Sequence, residues 1–166
     1  MAADLALLAP AFRVQVERLL DDCARAQIIM RPFSTLRTPH EQARLWRQSR
    51  PREQIDKTIR NLQKLGGHWL ASVLEEVGPQ YGRHVTNALA SWHNWGLAVD
   101  CFWFKDGKAE WTDLRGYRVY ANGALARELT PGGGWEDWPH VQLPRLGVAA
   151  RYTWPEIEAE MVRRFH

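Results

Sequence analysis

Ser91-Trp92-His93-Asn94-Trp95-Gly96-Leu97-Ala98-Val99-Asp100-Cys101-Phe102-Trp103-Phe104 is the stretch on which the reading of this chain turns. From Leu97 to Phe104 apolar residues occupy both parities, the pattern of a central strand covered on its two faces. Asp100 interrupts that pattern. A carboxylate in an apolar strand is costly unless it meets a cation, a donor or a metal. His93 lies seven residues earlier, an odd spacing that would put the two side chains on opposite faces of one regular strand. Gly96 allows the chain to bend between them, so that both can converge. Taken alone, the motif also fits a salt-bridged aspartate and a core histidine.

A second cluster stands downstream: Trp135-Glu136-Asp137-Trp138-Pro139-His140-Val141-Gln142, after Pro131-Gly132-Gly133-Gly134, which predicts a loop. Pro139 disfavours helical geometry at Trp138, which predicts an extended segment. His140 then enters a short strand, Val141 to Leu143, facing the same way as Gln142. A lone histidine there would read as a satisfied core or surface residue. Two such clusters in one small chain read differently. Two imidazoles and one carboxylate match a catalytic zinc site, which uses three protein ligands and leaves a fourth position for water. A metal lowers the pKa of that water to about 7, and a nearby carboxylate outside the ligand set can take its proton. Asp137 is the first candidate for that base and Glu136 the reserve.

The flanking sequence supplies a scaffold. Pro10 to Ala26 predicts a helix, with Phe12, Val16, Leu19, Leu20 and Cys23 at helical spacing and Pro10 in the first turn. Gln27 to Phe33 predicts a short strand. Thr38-Pro39-His40-Glu41 is a capping-box start for a helix running to about Gln48. Pro51 opens another helix, with Ile55, Ile59 and Leu62 on one face, ended by Gly66-Gly67, and His68 to Val77 predicts a further one. Asp106-Gly107 is a turn signal that would let Ala109 to Trp111 pair back as a hairpin. Tyr117 to Leu129 and Trp154 to Phe165 predict the last two helices. Segregated helices with short strands argue an α+β fold.

The bulk properties exclude several classes. A chain of 166 residues that is 45% hydrophobic and 25% charged is of single-domain size and unlike a disordered chain. The net charge of +3 and pI of about 9.1 come from scattered arginines and only the lysines Lys57, Lys64, Lys105 and Lys108, not from the clustered basic face of a nucleic-acid binder. Cys23 and Cys101 are too few for a disulfide framework and read as buried thiols. No stretch is long enough to span a membrane. The Met-Ala-Ala-Asp start lacks a basic segment and a long apolar run, so synthesis in the cytoplasm without a signal peptide is expected.

The motif Ser91-x-His93-x-x-Gly96-x-Ala98-x-Asp100, followed by Asp137-x-Pro139-His140, resembles the zinc D-alanyl-D-alanine carboxypeptidase and L-alanyl-D-glutamate endopeptidase family, which includes phage endolysins. Leu36-Arg37-Thr38, leading into Glu41-Gln42-Ala43-Arg44-Leu45-Trp46, is a third matching element, and the resemblance runs from about Pro10 to Leu143. It implies a Hedgehog/DD-peptidase-like fold: a small antiparallel sheet with helices packed around it. It implies one Zn2+ ion held by His93, Asp100 and His140, with Asp137 as catalytic acid/base and Arg37 steadying the scissile carbonyl and its oxyanion. Ser91 would contact substrate or support a ligand. Trp92, Trp95, Trp135 and Trp138 flank the ligands and are expected either to wall the cleft or to pack in the core. His84 is the one plausible substitute ligand.

The substrate so implied is a peptide bond in peptidoglycan stem peptides or cross-links, cut by a monomer acting in the periplasm or outside the cell. Delivery would use a holin or a secretion apparatus, with no membrane insertion and no nucleic acid. A D-alanyl-D-alanine carboxypeptidase or dipeptidase, and a non-catalytic zinc module that binds wall or protein, are the alternatives. The chain departs from compact endolysins between about Pro51 and Arg83, where a helical insertion within a single 1–166 domain is expected.

Overall fold

The computed structural model describes residues 3–166. The chain folds as two compact units: one contains the described residues of Met1–Leu36 together with Trp95–Arg145, the other Arg37–Asn94 together with Leu146–His166.

The first unit is a five-stranded antiparallel sheet backed by two helices. Its strands are β1 (Ile29–Ser34), β2 (Ala98–Lys105), β3 (Lys108–Glu110), β4 (Thr130–Pro131) and β5 (His140–Gln142). β2 is central, as its apolar run predicts. β1 pairs along one edge of it, while β5 pairs with its first residues and β3 with its last. β4 extends the sheet beyond β5. Alternation sends Val99, Cys101 and Trp103 into the main core, where they pack with Phe12, Val16, Leu19 and Cys23 of α1 (Pro10–Arg25) and Tyr117, Tyr120 and Ala124 of α5 (Leu114–Ala126). Asp100 therefore points to the opposite face. The Tyr117 hydroxyl accepts from the Trp103 N–H at 3.3 Å and donates to the Glu110 carbonyl at 2.6 Å, tying α5 to the β2–β3 hairpin. Burial raises the thiol pKa of Cys23 to about 11 and of Cys101 to about 12, so both are packing groups.

The second unit is helical: α2 (Pro39–Arg47), α3 (Arg52–Lys64), α4 (His68–Glu76), α6 (Val148–Arg151) and α7 (Trp154–Phe165). The predicted capping box is present, with Thr38 accepting from the Glu41 N–H and Glu41 from the Thr38 N–H. Ile55, Ile59 and Leu62 of α3 pack with Ala43 and Trp46 of α2 and Ala71, Val73 and Leu74 of α4. α4 starts on Gly67, which has no capping side chain. The first-turn N–H groups of Trp69 and Leu70 donate instead to the Glu158 carboxylate of α7, at 3.0 Å each, a favourable place for a negative charge. Among the described residues, no helix is long and apolar enough to cross a membrane.

Three local expectations are corrected. α5 begins at Leu114, capped by Asp113, three residues before the predicted start. Gly132 to Trp135 is a 3-10 turn, not an open loop, and Thr130–Pro131 before it is a two-residue strand. Trp138-Pro139 lies in a turn closed by the His140 N–H donating to the Asp137 carbonyl at 3.1 Å, so the segment is not extended.

Candidate metal centre

His93 sits in a 3-10 turn, Trp92–Trp95, that runs into β2 through Gly96. The turn is fixed from both ends. Asn94 accepts from the Ser91 N–H at 2.9 Å, and the Ser91 hydroxyl accepts from the His93 N–H at 3.3 Å. Gly96 has φ +67°, and a Cβ there would press to 3.1 Å on backbone atoms of Leu7 and Ala9. A left-handed residue with no side chain is what the bend between His93 and Asp100 requires.

Asp100 and His140 are direct partners in the β2–β5 pairing, so they share a face. His140 Nδ1 lies 3.0 Å from Asp100 Oδ1. Its other nitrogen, Nε2, lies 2.9 Å from Gln142 Oε1, and Gln142 Nε2 donates to the Pro144 carbonyl at 2.8 Å. All three candidate ligands are buried, at 1%, 7% and 8% relative exposure for His93, Asp100 and His140. One ligand atom from each lies within 4.8 Å of the others. Burial alone would lower the His140 pKa. The hydrogen bond and charge of Asp100, then Gln142, then the charge of Asp137 outweigh it and leave the imidazole raised above its ordinary 6.5.

The donor set fits a metal ion. Two imidazole nitrogens and one carboxylate oxygen are donor types that zinc takes, and they would leave a fourth position for water. His93, Asp100 and His140 are thus a group that could hold a metal, and among the described residues His84 is not part of it.

The loop before His140 is packed to one shape. A Cβ on Gly132 would collide with the Asp137 carbonyl oxygen and meet His140 Cβ at 2.9 Å. The Asp137 N–H donates to the Gly132 carbonyl at 3.0 Å, and the Asp137 side chain is exposed. Arg37 is half-buried. Its N–H donates to the His93 carbonyl at 3.1 Å, its carbonyl accepts from Asn94 at 2.9 Å, and its guanidinium donates to Gln42 Oε1 at 3.3 Å. Gln42, fully buried, also donates to the Ala88 carbonyl at 2.7 Å.

The tryptophans divide. Trp92 and Trp95 are buried, and Trp92 Nε1 donates to the Leu146 carbonyl at 2.7 Å, so these two take the packing option left open by the sequence. Trp138 is half-buried against the main core. Trp135 is 53% exposed, with its ring 6.0 Å from that of His140. Sequence reasoning gave no role to the side-chain bonds of Gln42 and Gln142. The visible signals were the place of Gln42 in the matching helix element and the shared strand parity of His140 and Gln142.

In comparisons with known proteins, the chain matches no family model and no curated protein. Among solved structures it is similar to the L-Ala D-Glu endopeptidase ChiX of Serratia marcescens, with TM-score 0.48 and 19% identity over 84% of this chain and 83% of that one. It is also similar to a mutant of the vancomycin-resistance D,D-pentapeptidase VanY from the VanB-type cassette, solved in complex with Zn(II), with TM-score 0.46 and 16% identity over 95% of this chain and 79% of that one.

Proposed function

We propose that this chain is a zinc-dependent peptidase that hydrolyses a peptide bond in peptidoglycan stem peptides or cross-links. One observation carries the reading: His93, Asp100 and His140, from two motifs far apart in the sequence, bring their ligand atoms within 4.8 Å of one another. The ordered motifs around these residues support it further, because they resemble those of zinc D-alanyl-D-alanine carboxypeptidases and L-alanyl-D-glutamate endopeptidases.

A zinc ion bound there would lower the pKa of a water molecule and polarise the scissile carbonyl. Asp137, exposed on the turn that leads into His140, accepts the proton of the attacking water and returns it to the departing amine. Arg37, held through its backbone against His93 and through its guanidinium by Gln42, offers positive charge to the oxygen on which negative charge develops. In this reading the enzyme works as a monomer on the wall side of the membrane, delivered through a holin or a secretion apparatus.

Digestion of purified peptidoglycan, with and without a chelator, tests the proposal. New amine and carboxyl ends inside the stem or cross-link, identified by mass spectrometry and abolished by chelation, are expected. Release of terminal D-alanine alone would redirect the reading to a carboxypeptidase. Absence of any new ends would remove the peptidase assignment.

A further inference from the structure

We propose that Gln142 is a positioning residue that decides which ring nitrogen of His140 faces the metal. The inference rests on the metal centre proposed above, not on the substrate assigned to it. The chain of bonds has a fixed direction. The Pro144 carbonyl can only accept, so the Gln142 amide must turn its nitrogen toward it, at 2.8 Å. Gln142 Oε1 is thereby left facing His140 Nε2 at 2.9 Å. An amide oxygen also only accepts, so Nε2 must carry a hydrogen. Nδ1, 3.0 Å from Asp100 Oδ1, is then the nitrogen left for a metal, which would take the place of the proton that Nδ1 shares with Asp100.

Strand geometry makes the device rigid. His140 and Gln142 are two residues apart on β5 and so share a face, and both are buried. Gln142 pairs with Ala98 and His140 with Asp100, so the acceptor, the imidazole and the carboxylate ligand ride on two adjacent strands. An acceptor behind a ligating imidazole fixes its tautomer and orientation and raises its basicity. Here that acceptor is a neutral amide, which orients the ring without adding negative charge to the site.

The test compares Gln142→Met, which keeps the bulk and removes the acceptor, with Gln142→Glu, which keeps an acceptor and adds charge. Zinc affinity is read by competition with a chromophoric chelator, alongside the circular dichroism of the metal-free proteins. Gln142→Met is expected to weaken zinc binding roughly 10- to 100-fold with the metal-free fold unchanged. Gln142→Glu, which gives up the donor to the Pro144 carbonyl but keeps an acceptor for Nε2, is expected to bind zinc more tightly than Gln142→Met. Equal zinc affinity in wild type and Gln142→Met would overturn the proposal, as would a Gln142→Glu variant as weak as the methionine variant. Should Gln142→Met fail to fold, long-range 1H–15N spectra of zinc-loaded wild type decide: a protonated Nε2 on His140 is expected. Coordination through Nε2 would sink the role of Gln142 while leaving the metal centre standing, and a wild-type chain that binds no zinc would sink both.

Discussion

The Asp100 carboxylate and the His140 imidazole stand directly opposite each other across the β2–β5 pairing and meet at 3.0 Å. Strand pairing alone therefore sets two of the three candidate ligands. The third, His93, is set by a turn that Ser91 and Asn94 lock and Gly96 bends into β2. Within each unit, strand pairing or a hydrogen-bonded turn orients the candidate ligand.

Asp137→Ala is expected to keep its zinc and lose hydrolysis. The side chain is exposed and outside the ligand group, so metal content should equal that of wild type, while loss of a general acid/base lowers turnover by about 10²–10⁴-fold. Zinc analysis and turnover on peptidoglycan, measured on the same preparation, check this. Wild-type turnover would remove Asp137 from the role.

Gly132→Ala and Gly134→Ala should differ sharply, although both lie in the same 3-10 turn. A Cβ on Gly132 meets the Asp137 carbonyl and His140 Cβ, whereas one on Gly134 meets nothing within 4 Å. The first substitution is expected to cost about 1–3 kcal/mol, as overpacking does, and to reduce zinc uptake. The second should be near neutral. Urea titrations with zinc analysis distinguish them, and equal behaviour would contradict the packing account.

Gln42→Leu should uncouple rate from metal. It removes the anchor of Arg37 and leaves the Ala88 carbonyl without its buried donor, at a cost of about 1–3 kcal/mol. Zinc affinity should hold while kcat falls. A variant with unchanged kcat would show that Arg37 needs no such support.

Acid sensitivity of the β3 end should track Glu110. Its carboxylate accepts from the Asp113 N–H, the Thr112 N–H and the Thr112 hydroxyl, bonds that hold its pKa down at about 2. A depressed carboxylate pKa stabilises the fold above the unfolded value of 4.5 and loses that contribution as pH falls through about 2. Replacing Glu110 by Gln should flatten the stability profile across this window. Thermal melts of metal-free protein between pH 2 and 5 read the difference, and superimposable profiles would refute it.

Much of this architecture was legible in the sequence because the decisive signals are local. The unbroken apolar run of β2, the capping box at Thr38 and Glu41, and the odd spacing of His93 and Asp100 around Gly96 each state their geometry within a few residues. The rest was hidden for several separate reasons. The start of α5 was hidden by Gly116, a poor helix former that is present because a Cβ there would collide with the Trp103 ring. β4 is too short to show a period. The burial of Trp92 and Trp95 and the bonds of Gln42 and Gln142 depend on partners distant in sequence or on side-chain orientation, which no spacing rule encodes.

The central claim is that His93, Asp100 and His140 together hold one metal ion. Zinc content per chain and zinc-edge X-ray absorption, recorded on wild type and on an Asp100→Ala, His140→Ala double variant, test it most directly. One zinc per wild-type chain, bound by two imidazoles and further oxygen donors with no sulfur, and background zinc in the double variant, is the predicted result. A wild-type chain without stoichiometric zinc, or a double variant that retains it undiminished, would contradict the account.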